Sequence, residues 1–158
     1  MVYRDAVTDR SYTYAQVRNA AIDFGKGLRS VWEWERGDVM ALYTPNSIDT
    51  PVIMWGTHWA GGIVSPANPA YTVEELAFQL KDSGAKALAT QIEQLPIALE
   101  AAKQAGIKPN RVILIGDAKD ESMRIKHFTQ VRNAAGTSRY RRTKAKDPAK
   151  DLAFLVYR

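Results

Sequence analysis

The fold of this chain is decided by residues 60–76, which read Ala60-Gly61-Gly62-Ile63-Val64-Ser65-Pro66-Ala67-Asn68-Pro69-Ala70-Tyr71-Thr72-Val73-Glu74-Glu75-Leu76. Gly61 and Gly62 are typical of the end of a helix, and the short apolar run after them predicts a strand over residues 63–65. Thr72 and Glu75 have the spacing of a capping box, in which each side chain binds the backbone amide of the other residue. This stretch therefore predicts a strand that leads into a helix.

The same alternation of strand and helix patterns continues on both sides of this stretch. Short apolar runs predict buried strands over residues 39–43, 87–90 and 111–115. Apolar residues at three- and four-residue spacing predict helices over residues 17–31, 49–60 and 93–105. A hairpin is expected from residues 2–7 and 11–14. Because strand-helix-strand units pair in parallel, the expected fold class is α/β, with a mainly parallel sheet and helices on both faces.

The chain divides into three parts. Residues 1–118 carry the strand-helix units, and residues 119–150 form a basic surface connection with a short helix near residues 129–134. Residues 151–157 are mostly apolar and predict a buried strand, so residues 151–158 are interpreted as a final strand segment.

Length and composition exclude several classes of protein. The 158 residues are 46% hydrophobic and 25% charged, which is typical of one globular domain. The chain has no cysteine, which excludes disulfide scaffolds and cysteine-ligated metal sites. Charged residues occupy the start, where a signal peptide needs an apolar core, and residues 50–67 are too polar to span a membrane. We expect a soluble protein of the cytoplasm or the peroxisome.

The net charge of +5 is concentrated in the basic connection. Residues 119–150 contain ten Lys or Arg against three Asp or Glu. This segment could be an anion-binding strip or a solvated surface connection. The second interpretation is favoured, because the basic residues are not interleaved with clustered aromatic side chains that could stack on bases. Nucleic acid is therefore not an expected partner.

The residues that could carry chemistry each have a simpler structural interpretation. Neither a dinucleotide-binding fingerprint nor a Walker A loop occurs in the sequence. Gly25 and Gly27 lie within a helical pattern, where tight packing explains them better than phosphate binding. His58 could be a base, but a partly buried histidine hydrogen-bonded to the backbone is favoured. His127 has no acidic or nucleophilic companion at a suggestive spacing and is assigned no role.

Trp32 and Trp34 alternate with two glutamates near the predicted end of a helix. They could pack at the edge of the core, or they could present their indole edges to another part of a larger protein. Both interpretations stay open from the sequence.

Three ordered blocks of the sequence resemble a known family. They are Ser11-Tyr12-Thr13-Tyr14, Val39-Met40-Ala41-Leu42-Tyr43-Thr44-Pro45-Asn46 and the stretch of residues 60–76 quoted above. In this order they resemble the N-terminal part of adenylate-forming acyl-CoA synthetases, in the 4-coumarate-CoA ligase-like branch. The resemblance implies a carboxylic acid substrate, its activation by ATP to acyl-AMP, and transfer of the acyl group to CoA. ATP, magnesium and CoA are implied for the full-length family.

The resemblance covers nearly the whole chain but transfers scaffold only. In the family, a strand like residues 151–157 leads into a Ser/Thr/Gly-rich phosphate loop with a lysine, whereas this sequence ends at Arg158. No catalytic, cofactor-binding or metal-binding residue is therefore assigned here, and no cofactor is expected for this chain alone. We expect a truncated acyl-CoA ligase-like protein without activity of its own. The alternative is a non-catalytic interaction module, with self-association through exposed edges of the sheet.

Overall fold

The computed structural model describes residues 2–122, 124–136 and 139–157, and what the sequence predicts for Met1, Met123, Thr137, Ser138 and Arg158 lies outside the described residues. A short antiparallel hairpin comes first, formed by strands β1 (Tyr3–Arg4) and β2 (Ser11–Tyr12). The strands of the main sheet are β3 (Val39–Tyr43), β4 (Ile63–Ala67), β5 (Ala85–Thr90), β6 (Val112–Leu114) and β7 (Lys126–His127). The α-helices are α1 (Tyr14–Trp32), α2 (Thr50–Trp59), α3 (Val73–Asp82), α4 (Leu95–Gln104) and α5 (Phe128–Asn133).

The main sheet is parallel throughout, in the order β4-β3-β5-β6-β7. Helices α1, α2 and α5 cover one face around a core that includes Phe24 and Phe128, and α3 and α4 cover the other face around Leu76 and Leu88. All five residues of β3 are buried, which is the pattern of a strand covered on both faces. The predicted α/β fold class, with helices on both faces of a mainly parallel sheet, is confirmed.

Apart from residues 151–157, the predicted elements lie within a few residues of the observed ones, and the short strand β7 was not predicted. The capping box that begins α3 is present, with the Glu75 amide donating to Thr72 Oγ1 (3.3 Å) and the Thr72 amide donating to Glu75 Oε2 (2.8 Å). The helix predicted over residues 93–105 is divided into a 3₁₀ turn (Ile92–Gln94) and α4, and a second 3₁₀ turn (Pro109–Arg111) precedes β6. No helix within the described part of the chain is long and apolar enough to cross a bilayer.

Glycines bring the helices of one face unusually close together. A Cβ atom on Gly25 would lie 2.7 Å from the carbonyl oxygen of Gly56 in α2. A Cβ atom on Gly27 would lie 2.0 Å from the carbonyl oxygen of Val131 in α5. Side chains at these positions would push α2 and α5 away from α1, so the interpretation of Gly25 and Gly27 as packing residues is confirmed.

Trp32 and Trp34 both lie in the core, 4% and 3% exposed. Their rings contact each other with centroids 6.4 Å apart, and the guanidinium of Arg111 lies over the Trp32 ring. The alternative of exposed indole edges is therefore wrong. The sequence pattern does not reveal the burial of these two side chains. Helix α1 ends at Trp32, and the chain then turns at Glu33, whose φ of 53° lets Trp34 return to the core.

Residues 151–157 differ from the predicted buried strand. They form a single parallel bridge between Val64 and Phe154. The Val64 amide donates to the carbonyl of Ala153 (2.9 Å), and the Leu155 amide donates to the carbonyl of Val64 (3.0 Å). Leu152, Phe154 and Val156 are exposed, so the prediction of burial is wrong. The reason is position, because the segment lies outside the edge strand β4, where Leu155 packs against the core but Leu152, Phe154 and Val156 are left facing solvent.

Candidate functional site

The carboxyl ends of the parallel strands meet at one edge of the sheet, which is where ligands commonly bind in such folds. Thr44 follows β3, and Gln91 follows β5. The Gln91 side-chain amide donates to Thr44 Oγ1 (2.7 Å) and to the carbonyl of Pro45 (3.3 Å). Polar groups at this edge thus bind one another.

A buried carboxylate lies beside this edge. The Asp49 side chain is fully buried at the start of α2 and accepts hydrogen bonds on both oxygens. Oδ1 accepts from Arg10 Nη2 (2.7 Å) and the Tyr12 hydroxyl (2.8 Å). Oδ2 accepts from Arg10 Nη1 (3.2 Å) and the Gly116 amide (3.0 Å). A carboxylate with a bidentate arginine and two further donors can be buried without a large penalty.

We call Arg10, Tyr12, Asp49 and Gly116 the Asp49 cluster. The hydrogen bonds that Arg10 donates to Asp49 raise the pKa of its guanidinium, which also pairs with Asp117 at 2.8 Å. Burial raises the pKa of the Tyr12 hydroxyl, and its hydrogen bond to Asp49 raises it further. Both donors therefore keep their protons at neutral pH, and the cluster fastens β2 to the carboxyl edge of the sheet.

No local sequence pattern predicts the Asp49 cluster. Asp49 is 39 positions from Arg10 and 67 positions from Gly116, so no local motif joins them. An aspartate before a helix suggests an N-cap, yet its side chain makes no capping hydrogen bond to α2. The one signal that could have indicated a buried Asp49 is its position before an almost uncharged helix that is predicted to be covered on several sides.

His127, which was assigned no role from the sequence, connects α5 to the same edge of the sheet. Its Nδ1 accepts from the Thr129 amide and contacts Thr129 Oγ1 at 2.8 Å, while Nε2 lies 2.9 Å from the carbonyl of Gly116. An accepting Nδ1 and a donating Nε2 describe the neutral ring. Burial lowers the pKa of His127 despite its hydrogen bond to Gly116.

We expect the folded protein to lose stability as the pH falls through the ordinary histidine range. The folded-state pKa of His127 is lowered, so the unfolded chain binds the proton more strongly once the pH falls below about 6.5. Thermal unfolding followed by circular dichroism should show a melting temperature that falls between about pH 7.5 and pH 5. In His127→Asn, which keeps a capping side chain but cannot titrate, the fall should be smaller. An equal fall in both proteins would contradict this assignment.

His58 and Ser65 hold residues 151–157 against β4. His58 Nε2 lies 2.9 Å from the carbonyl of Ala153, and its ring packs edge-on against Phe154 with centroids 5.0 Å apart. Ser65 Oγ donates to the carbonyl of Leu155 (3.1 Å) and accepts from Gln79 Nε2 (2.9 Å). The favoured interpretation of His58, a partly buried histidine bound to the backbone, is confirmed.

The basic connection is attached to the helices in its second half. Arg29 of α1 contacts Thr143 and donates to the carbonyls of Arg141 (3.1 Å) and Ala60 (3.1 Å). The Thr143 amide donates to the backbone carbonyl of Trp59 (3.0 Å). The lysines and arginines here are solvent-exposed.

These features define the chain first as an open α/β domain with a parallel five-stranded sheet. The model of the family described as AMP-binding enzyme matches residues 1–157, and the chain belongs to this family. Among its relatives, 4-coumarate-CoA ligase 1 of Narcissus pseudonarcissus is 30% identical over 128 residues, which cover 80% of this chain and 22% of that protein. The acyl-CoA ligase azaF of Aspergillus niger is 34% identical over 112 residues, which cover 70% of this chain and 21% of that protein.

Solved structures share the fold. A red-emitting luciferase from Phrixothrix hirtus matches with a TM-score of 0.83 and 19% identity, over 97% of this chain and 37% of that chain. A benzoate CoA ligase from Burkholderia xenovorans matches with a TM-score of 0.75 and 22% identity, over 91% of this chain and 27% of that chain. The chain spans about a fifth of the length of the curated relatives it matches. The expected resemblance to adenylate-forming acyl-CoA synthetases is confirmed.

The described residues do not bring together the carboxylates that a magnesium ion would need. They contain no group of three or more His, Asp or Glu side chains that could hold a metal ion. The one fully buried carboxylate among them, Asp49, accepts two hydrogen bonds on each oxygen, which occupies its lone pairs.

Proposed function

We propose that this chain is part of the scaffold of an AMP-forming acid-CoA ligase. The observation that carries this proposal is the family match over residues 1–157, with relatives named as 4-coumarate-CoA and acyl-CoA ligases. In the whole enzyme, a carboxylate oxygen of the substrate would attack the α-phosphate of ATP and displace pyrophosphate. The CoA thiol would then attack the acyl carbon and displace AMP.

We further propose that these 158 residues do not carry out either step by themselves. Adenylation needs cationic groups to neutralise the phosphates while charge moves to the leaving pyrophosphate. The polar side chains described above instead serve the fold: Asp49 binds the hairpin, and Ser65 and His58 hold residues 151–157. ATP, magnesium, CoA and the carboxylic acid then belong to the whole enzyme.

Acid-dependent exchange of pyrophosphate into ATP tests this proposal. The purified chain is assayed with 4-coumarate, benzoate and a long-chain fatty acid, with Mg²⁺ present and a full-length acyl-CoA ligase as the positive control. We expect no exchange above that of heat-denatured chain. Exchange that requires the acid and persists through two further purification steps would overturn the proposal that these residues do not catalyse adenylation by themselves.

A second function, a non-catalytic interaction module that can self-associate, is favoured by the exposed apolar side chains of residues 151–157. Leu152, Phe154 and Val156 are 59%, 41% and 72% exposed and alternate along the backbone. An unpaired edge with such side chains is a surface for pairing with another chain. They lie next to the edge strand β4, where the described residues place no further strand beyond them.

Light scattering over a range of protein concentrations tests the self-association. We expect the weight-average mass to rise with concentration, and Val156→Lys to reduce the rise because it places a charge on the pairing edge. Val7→Lys is the matched control, because Val7 is 94% exposed in the hairpin loop and lies outside this segment. A monomeric wild type at every concentration would contradict the second function.

A further inference from the structure

A groove of about 700 Å³ lies between the hairpin, α1 and α2. None of the residues that line it belongs to the Asp49 cluster or to the segment of residues 151–157. Its walls are mainly aromatic and aliphatic, with Tyr3 from β1, Tyr14 from α1, and Trp55 and Trp59 from α2. The groove is therefore a separate feature of the surface, formed by the α1–α2 pair and the hairpin.

The aromatic side chains of the groove are unusually exposed for their size. Tyr14 is 71% exposed and Trp55 is 48% exposed. Contiguous exposed apolar surface of this kind marks a site for a ligand or partner more often than isolated exposed residues do. Pockets for small ligands are typically lined by aromatic and apolar groups with a few polar groups that set orientation.

The charged side chains that line the groove are two arginines, Arg18 and Arg142, and no acidic residue lines it. Within the described residues neither arginine makes an ion pair or a hydrogen bond. An unpaired arginine beside an apolar surface favours an anionic group, since its planar guanidinium can bind a carboxylate or sulfonate with two donors.

The backbone that carries Arg142 is held in place on both sides. The carbonyl of Arg141 accepts from Arg29 (3.1 Å), and the Thr143 amide donates to the carbonyl of Trp59 (3.0 Å). Arg18 lies on the long helix α1. Both cations thus have backbones fixed relative to the aromatic walls, so less ordering is needed when a ligand binds.

We propose that this groove binds a small amphipathic organic anion, with its apolar body against the aromatic walls and its carboxylate or sulfonate at Arg18 and Arg142. The combination of aromatic walls, two unpaired cations and no acidic lining matches a ligand that has one anionic group and an aromatic or alkyl body. This site does not rest on the proposed ligase function, because none of the residues that line it belongs to the Asp49 cluster or to residues 151–157.

The test compares 2-naphthoate with the neutral 2-naphthalenemethanol on the purified 158-residue chain. Isothermal titration calorimetry measures both affinities in the wild type, in the double variant Arg18→Gln/Arg142→Gln, and in Arg124→Gln, an exposed arginine outside the groove. We expect the double variant to bind naphthoate about fivefold more weakly, as for loss of two exposed charge contacts, with little change for the alcohol. Arg124→Gln should match the wild type.

An NMR titration of the wild type locates the site without any variant. The four tryptophans provide an internal control, because Trp55 and Trp59 line the groove whereas Trp32 and Trp34 are buried in the core. Naphthoate should shift the indole N–H signals of the first pair and leave those of the second pair unchanged. No shift at millimolar naphthoate, equal shifts in all four signals, or equal losses for acid and alcohol in the double variant would each overturn the proposal.

Discussion

Asp49→Asn is expected to lower the free energy of unfolding by about 2 to 3 kcal/mol. The substitution keeps the size of the side chain but replaces one accepting oxygen with an N–H₂ donor. That donor would face Arg10 and Tyr12 or the Gly116 amide, and each of these groups is itself a donor. The Arg10 side chain is 31% exposed and can regain some hydration, which places the expected loss below that for a fully buried ion pair.

Urea denaturation of matched variants measures this loss. Asp9→Asn is the control, because Asp9 also pairs with an arginine. In that pair both side chains are largely exposed, at 58% for Arg4 and 76% for Asp9. Asparagine also tolerates the positive φ of 57° at this position. The control should stay within about 0.5 kcal/mol of the wild type. Similar losses in both variants would mean that the Asp49 cluster does not anchor the hairpin.

Gly27→Val is expected to destabilise the protein by about 3 kcal/mol, because the new Cβ would lie 2.0 Å from the carbonyl oxygen of Val131. The obstacle is backbone, which cannot rotate away as a flexible side chain can. The contact can be relieved only by moving α5 away from α1, which opens the core around Phe24 and Phe128, whose rings pack edge to face at 6.5 Å.

Ser30→Val is the matched control for this substitution. It introduces the same β-branched side chain three residues further along α1 at an exposed position, so it changes helix propensity without a clash. We expect its melting temperature to stay close to that of the wild type, while Gly27→Val melts several degrees lower. A Gly27→Val protein as stable as Ser30→Val would show that α5 does not pack closely on α1.

Local patterns explain which predictions succeeded. The Thr72–Glu75 capping box, the buried run of β3 and the glycines of α1 depend on residues that are near one another in sequence, within one helix or one strand. Such patterns report the element and the face that it buries. They predicted the parallel sheet and its two helical layers, and they led to the family that the comparisons confirm.

The errors arose where distant segments meet. The apolar pattern of residues 151–157 indicated burial, but whether an apolar strand is buried depends on what lies over it, and this segment is outside the edge of the sheet. Trp32 and Trp34 left two interpretations open because a turn at Glu33, invisible in their spacing, returns the chain to the core.

By itself, the sequence determined the alternating strands and helices as far as β6, their parallel arrangement and the family, because each follows from hydrophobic period, capping and turn residues close together in the chain. Only the tertiary structure decided that Asp49 meets Arg10, Tyr12 and Gly116, and that Arg142 lies beside the aromatic residues of α1 and α2. Side chains from distant segments come together through the packing of whole elements, and hydrogen bonds or ion pairs between them leave no periodic pattern along the chain.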